Sequence, residues 1–221
     1  MNRLYPVLSW LITVAVPFLL IMTAVRLLLN PALLQFEYKS PNFPPDSYGF
    51  TIQDRLKWGG LSLEYLLNNS DISFLADLKF SDGTPIYNER ELSHMADVKL
   101  VIQHMTSAWY IVIGVLLALG IWAWRGHWMV NFWQGISRGG WLTIALIAII
   151  LVFVFTSFDS LFTDFHRIFF TGNSWIFLYS DTLIRLFPLP FWQNAFIFMG
   201  GITVIGALLF GYGGQKLAGR F

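Results

Sequence analysis

The chain contains no cysteine and few charged residues. None of its 221 residues is Cys, and Asp, Glu, Lys and Arg together make up 12%. Without thiols, the protein has no disulfide, no thiolate metal site and no cysteine nucleophile. A soluble domain usually carries about 25% charged residues, whereas 56% of this chain is hydrophobic. The composition therefore indicates an integral membrane protein, and a net charge of +1 gives no reason to expect a nucleic acid partner.

Four windows of the sequence lack any charge and are long enough to cross a bilayer, which takes about 20 apolar residues. They cover residues 4–25, 105–124, 139–158 and 186–215. We predict a single all-α membrane domain over residues 1–221, with four transmembrane helices at about 5–29, 106–125, 139–158 and 191–213. No small-x-small cleavage site follows the first window, so we interpret it as a retained span rather than a signal peptide.

Charge is distributed very unevenly between the two sides of these spans. All 13 acidic residues fall within residues 37–97 and 159–181. The other flanks carry only basic residues: Arg3, Arg125, Arg138, Lys216 and Arg220. Because basic flanks favour the cytoplasmic side, we predict cytoplasmic N- and C-termini. Residues 30–105 then form an extracytoplasmic cap, and residues 159–190 form a second extracytoplasmic loop.

Several local signals predict the structure of the cap. We expect the cap to begin at Asn30-Pro31 and the prolines at 41, 44 and 45 to keep its entry extended. Thr51 has the features of a helix N-cap, and the helix should run to Leu67 unless Gly59-Gly60 divides it. The sequence Ser81-Asp82-Gly83-Thr84 predicts a tight turn between two short extended segments. Asn88 is expected to cap a helix that continues into the second span.

Two histidines lie where apolar spans meet these acidic segments. In a helix, Glu91, His94 and Asp97 follow one stripe at spacings of three residues, and Asp159 and His166 lie on another stripe among phenylalanines. An acid one turn from an imidazole can hold its tautomer and stabilise its charged form. The ordinary alternatives are a solvated helix face for the first stripe and an interfacial aromatic belt for the second.

A series of short motifs runs through most of the chain. They are Asp46-Ser47-Tyr48-Gly49-Phe50-Thr51, Arg55-Leu56, Glu64-Tyr65-Leu66, Asn88-Glu89-Arg90-Glu91 with His94-Met95 and Asp97-Val98, Phe162 with Phe165-His166 and Ile168-Phe169-Phe170, Trp175-Ile176-Phe177, Asp181-Thr182-Leu183-Ile184-Arg185-Leu186-Phe187-Pro188, and Phe191-Trp192. In this order, the motifs resemble the bacterial lipoprotein intramolecular transacylase (Lit) family.

The resemblance implies an acyltransferase of the bacterial cytoplasmic membrane whose site faces outward. Its substrate would be a diacylglyceryl-modified lipoprotein, whose N-terminal amine takes the sn-2 acyl chain and leaves a lyso-form product. It also implies that His94 and His166 are the catalytic pair and that no cofactor or metal is needed. We assign supporting roles to Glu91, Asp97, Asp159 and Arg185, and substrate contacts to Tyr48, Arg55, Phe169 and Trp175. Arg55, Arg90 or Arg185 could also stabilise an oxyanion.

Two other functions are compatible with the same residues. A metal-dependent membrane hydrolase could use the two histidines with Asp residues, although the sequence has no HExxH or HxxxH pattern. A non-enzymatic protein could instead bind or transport a lipid or a peptide. Against transport, no span carries a charge at mid-membrane depth.

Overall fold

The computed structural model describes residues 4–221, and this part of the chain is almost entirely helical. Its helices are α1 (Leu4–Leu28), α2 (Pro31–Lys39), α3 (Ile52–Leu67), α4 (Ser73–Ala76), α5 (Glu89–Arg125), α6 (Met129–Thr156), α7 (Phe158–Phe169), α8 (Thr182–Leu186) and α9 (Leu189–Ala218). The turn predicted at residues 81–84 closes a minimal hairpin, in which Lys79 and Pro85 form an isolated antiparallel bridge.

Four of these helices, α1, α5, α6 and α9, are long and apolar enough to cross a membrane. The prediction of an all-α protein with four membrane spans is therefore confirmed. Helix α5 has 37 residues, which corresponds to a length of about 55 Å at 1.5 Å per residue. A hydrocarbon core is only about 30 Å thick, and the charge-free part of α5 begins at residue 105. The first four turns of α5, including His94, thus lie outside the span.

The described residues form two compact units. The first, here called the bundle unit, comprises residues 4–27, Met105–Thr156 and Phe196–Phe221. Its core joins apolar side chains of α1, α5, α6 and α9, such as Val16, Leu116, Phe132 and Ala207. Glycine allows α6 and α9 to approach closely, because a Cβ on Gly140 would lie 2.5 Å from the backbone nitrogen of Gly211.

The second unit, here called the acid-containing unit, comprises Leu28–His104 and Ser157–Ala195. Its main core is built around Trp58, Tyr65, Leu75 and Leu186. As predicted, Thr51 caps α3 through a capping box with Asp54. The glycines at 59 and 60 do not divide α3, which runs without a break to Leu67.

The expectation of an extended start to this unit was wrong for residues 31–39, which form α2. The Asn30 side chain accepts a hydrogen bond from the backbone N–H of Ala32 at 2.9 Å, and Pro31 occupies the first helical turn. Both features favour a helix start. Leu34 and Tyr38 then bury one face of α2 against Leu63 and Phe191, which gives this short helix its stability.

Candidate active site

The acid-containing unit brings His94 and His166 together. His94 comes from the first turns of α5, and His166 comes from α7. Their ring centroids are 6.0 Å apart, and the rings are inclined by 24°. Each residue is only 8% exposed. Two imidazoles from distant parts of the sequence therefore form one buried pair.

Aromatic rings enclose this pair. Phe170 and Phe177 meet the His94 ring edge to face, at centroid distances of 4.9 and 5.3 Å. The His166 ring lies 4.2 Å from Phe162 and 5.0 Å from Trp175. An apolar wall of this kind lowers the local dielectric, so it disfavours a charged imidazole and strengthens any hydrogen bond to a bound substrate.

The tautomer of His166 is fixed by its own helix. Nδ1 of His166 lies 2.7 Å from the carbonyl oxygen of Phe162. A carbonyl can only accept a hydrogen bond, so the neutral ring must carry its proton on Nδ1. The lone pair is then on Nε2, and His166 can act as a base only through that nitrogen.

His94 has a different hydrogen-bonding state. Its Nδ1 atom is buried and has no hydrogen-bond partner among the described residues. Burial, with a smaller contribution from neighbouring His166, lowers the pKa of His94 to about 4. Burial also lowers the pKa of His166, against the opposing effect of its bond to the Phe162 carbonyl. Both rings are consequently neutral at pH 7.

Glu91 does not pair with His94, although the two residues are three positions apart on α5. The Glu91 carboxylate accepts hydrogen bonds from the backbone N–H groups of Asn88 at 2.8 Å and Leu183 at 2.6 Å. Asn88 in turn accepts from the N–H of Glu91, which completes a capping box at the start of α5. Glu91 thus joins the start of α5 to α8 and positions His94 through the backbone.

The other predicted supporting acids and Phe169 lie away from the rings. Asp97 is half-buried, Asp159 is exposed, and in the described part of the chain neither is hydrogen bonded to an imidazole. Phe169 packs against Phe165 at 4.9 Å. Helical spacing places these residues on the same elements as the histidines, but side-chain direction separates them from the rings.

Arg185 is held by a buried ion pair. Its Nη2 atom lies 3.0 Å from Oδ2 of Asp46, with exposed side-chain fractions of 12% and 3%. The same guanidinium lies 3.4 Å from the Phe50 ring centroid and donates to the carbonyl of Tyr48. Burial opposes ionisation of Asp46, but the bonds from Arg185 and the Phe50 N–H lower its pKa overall.

A surface cavity of about 330 Å³ lies beside this ion pair, and Tyr48 and Arg185 contribute to its wall. Tyr48 is 54% exposed and remains available for contact with a substrate. Arg55, in contrast, is buried and donates to the carbonyl oxygens of Arg185 and Pro44. Arg55 and Arg185 thus already have partners within the protein, and the role of either as an oxyanion donor stays a prediction.

Trp175 lies beside the histidines, as its assignment to substrate contact requires. Its ring contacts His166, and its indole Nε1 is buried without a hydrogen-bond partner among the described residues. The hydroxyl of neighbouring Ser174 is in the same state. Buried donors without partners are costly, and the indole donor of Trp175 lies beside the His166 ring. Sequence reasoning missed Ser174, because its position in a predicted turn carries no signal for a site residue.

The described residues contain no cluster of three or more His, Cys, Asp or Glu side chains that could hold a metal ion. Among the residues that the structure describes, no carboxylate is hydrogen bonded to either imidazole to complete a ligand set. Their surroundings suit proton transfer in an apolar pocket better than metal coordination.

Comparisons with known proteins place this fold and sequence among membrane-integral transacylases. The family model described as lipoprotein intramolecular transacylase Lit matches residues 10–192. An uncharacterised protein of Aquifex aeolicus is 26% identical over 202 residues, covering 91% of this chain and 90% of that protein.

Solved structures of the membrane-integral lipoprotein intramolecular transacylase Lit from Bacillus cereus share the fold. One has a TM-score of 0.70 at 18% identity and covers 100% of this chain and 98% of its own. A variant of that protein with one histidine replaced by alanine has a TM-score of 0.74 at 19% identity, with coverage of 99% and 96%. The family match spans most of the sequence, and the chain belongs to the lipoprotein intramolecular transacylase Lit family.

Proposed function

We propose that His94 and His166 carry out the acyl transfer of this transacylase. The substrate is a diacylglyceryl-modified lipoprotein, in which the N-terminal amine of the lipid-bearing cysteine takes the acyl chain from the sn-2 ester of its own lipid. The observation that carries the proposal is the buried pair of imidazoles 6.0 Å apart inside an aromatic wall. Because donor and acceptor belong to one molecule, the protein needs to fold the lipid rather than collect a second substrate.

Proton transfer is the main chemical task. An α-amine has a pKa of about 7.7 to 8.0, so obtaining its neutral form at pH 7 costs only about 1 kcal/mol. Attack on the sn-2 carbonyl forms a C–N bond and leaves a positive nitrogen and a negative oxygen in the tetrahedral adduct. The nitrogen must lose one proton, and the departing sn-2 oxygen must gain one when the C–O bond breaks.

The fixed tautomer of His166 favours it as the group that takes the nitrogen proton, through Nε2. His94, once protonated, is a strong acid because its pKa is about 4, and it is therefore suited to protonate the departing oxygen. For the protons to balance, His166 passes the proton that it took from nitrogen to His94, and His94 gives it to the departing oxygen as the C–O bond breaks. An amide and a hydroxyl have then formed, one proton has moved from nitrogen to oxygen, and both imidazoles are neutral again.

The adduct also carries a negative oxygen that needs a hydrogen-bond donor. The Trp175 indole N–H supports this role, because it is buried beside His166 and has no partner among the described residues. The surrounding phenylalanines provide an apolar surface for the acyl chains.

The test is the mass of a lipoprotein N-terminus from cells that produce this chain or its variants. Wild type should yield the N-acylated lyso form, whereas His94→Ala and His166→Ala should leave the diacylglyceryl form. His104→Ala is the matched control, since His104 lies on the same helix and is exposed. Continued formation of the lyso form by both variants would reject the catalytic assignment.

A metal-dependent reaction is tested on the purified protein. Transfer should proceed at an unchanged rate after treatment with EDTA, because the imidazoles need no ion in this mechanism. Loss of activity that is restored by a divalent cation would favour the metal-dependent alternative.

We also propose that the acid-containing unit faces outward from the cytoplasmic membrane, with both termini inside. The support is the charge asymmetry of the sequence. Because the chain has no cysteine, a single introduced thiol reports one position. Asp82→Cys should react with a membrane-impermeant maleimide in intact cells, and His127→Cys should react only after lysis. The opposite pattern would reverse the orientation.

A further inference from the structure

The bundle unit contains basic residues but no acidic residue. Its stretches of the chain include Arg26, Arg125, Arg138, Lys216 and Arg220, whereas every Asp and Glu of the protein lies in the other unit. Apart from Arg26, these cations lie where α5 ends, where α6 begins and where α9 ends. In the described part of this unit, no Asp or Glu side chain is available to pair with these cations.

Arg138 is the most organised of these cations. Its Nη2 atom donates to the hydroxyl of Ser9 at 2.6 Å, and its Nε donates to the hydroxyl of Thr13 at 3.4 Å. The guanidinium also lies 4.5 Å from the centroid of the Trp10 ring. These contacts from α1 fix the orientation of the guanidinium but do not neutralise it.

Arg138 lines a cavity of about 480 Å³ between α6 and α9. The other lining residues are Gln134, Ser137, Trp141, Gln215, Ala218 and Gly219. Two amide side chains and a guanidinium provide several hydrogen-bond donors, and none of these described lining residues carries a carboxylate that would repel an anion. The cavity is thus complementary in charge and hydrogen bonding to an anionic oxygen ligand.

The distribution of charged and aromatic residues along α6 and α9 indicates that this cavity lies near the membrane surface. From residue 139 to Thr156, α6 is free of charge over 18 residues, or about 27 Å, which is close to the thickness of a hydrocarbon core. Trp141 meets Tyr212 edge to face at 4.9 Å, and these rings are 40% and 61% exposed. Exposed Trp and Tyr pairs are typical of the membrane–water interface.

We propose that this cavity binds the phosphate of an anionic membrane phospholipid, with Arg138 as its counter-ion. A phosphate diester on a glycerol headgroup would accept from the guanidinium and from the amides of Gln134 and Gln215. Its acyl chains would follow the apolar surface beyond Trp141. A free phosphate shares the headgroup chemistry but lacks the chains, so the two sources can be separated by experiment. The site is independent of the catalytic proposal.

The test is native mass spectrometry of the full-length protein released from micelles that contain phosphatidylglycerol or phosphatidylcholine. Wild type should retain one phosphatidylglycerol and should lose it in Arg138→Gln, with an affinity that is lower by about tenfold or more. Arg26→Gln is the matched control, because it removes the same charge from the same unit away from the cavity. Equal retention by Arg138→Gln and Arg26→Gln would overturn the proposal.

Gln215→Trp is a second variant, which fills the cavity from an exposed position and leaves the bonds of Arg138 in place. It should also lose the phosphatidylglycerol, which separates loss of the site from misfolding around Arg138. Inorganic phosphate added in excess should not displace the lipid. Displacement by phosphate, or equal retention of phosphatidylcholine, would identify a general anion site or a nonspecific lipid contact instead.

Discussion

Acid should destabilise this protein through His94. Burial lowers the pKa of His94 to about 4 from an ordinary value of 6.5, so the folded state binds fewer protons than the unfolded state between these two values. Stability from this group is therefore fully present above pH 6.5 and falls as the pH drops towards 4. Lowering the pH from about 7 to about 5 should cost about 2 kcal/mol of unfolding free energy at this one site.

The measurement is equilibrium unfolding in mixed micelles with increasing SDS, followed by tryptophan fluorescence at both pH values. Other carboxyl and imidazole groups also titrate, so the quantity of interest is the difference between wild type and His94→Leu. The variant should lose about 2 kcal/mol less than wild type over this interval. Equal pH dependence in wild type and His94→Leu would show that the ring is not a buried neutral base.

Three further outcomes are expected. Trp175→Phe keeps an aromatic ring but removes the indole N–H, and it should slow single-turnover acyl transfer by about 10²- to 10³-fold. A rate within threefold of wild type would exclude Trp175 as the oxyanion donor. Asp46→Ala leaves the buried Arg185 cation unpaired and should cost about 3 kcal/mol in SDS unfolding, and a loss below about 1 kcal/mol would contradict the importance of the pair. Gly140→Ala should destabilise the protein by about 2 kcal/mol in SDS unfolding, because its Cβ meets backbone atoms of α9. Gly201→Ala has open space around it and should increase the unfolding free energy by about 1 kcal/mol. Equal effects of the two substitutions would contradict close packing at Gly140.

Local signals in the sequence were sufficient for the main elements of the fold. Uncharged windows of span length predicted all four long helices, and Thr51 and Asn88 predicted two helix starts that the structure confirms. These features depend on neighbouring residues only. The helix at 31–39 was not predicted, because the prolines at 41, 44 and 45 favour an extended chain and the burial of Leu34 and Tyr38 that stabilises α2 depends on distant residues.

Tertiary competition explains why the surroundings of the site were harder to predict. Glu91 has the spacing to pair with His94, but the backbone N–H of Leu183, 92 residues away, takes its carboxylate. From the sequence, Arg185 was a candidate to bind an oxyanion, but in the structure its guanidinium is paired with Asp46. Each long-range partner satisfies a buried charge that spacing along one helix cannot reveal. The shared location of the two histidines was nevertheless predictable from the order of the spans.

The bond between Glu91 and Leu183 has a consequence for biosynthesis. Residue 183 is made long after the start of α5, so this carboxylate remains without one of its two N–H donors while the two intervening spans are being synthesised. The helix that presents His94 can reach its final setting only when α8 is available. Most of the polypeptide must therefore have emerged from the ribosome before the active site can form. Truncation before residue 183 should yield a product that is inserted in the membrane but inactive.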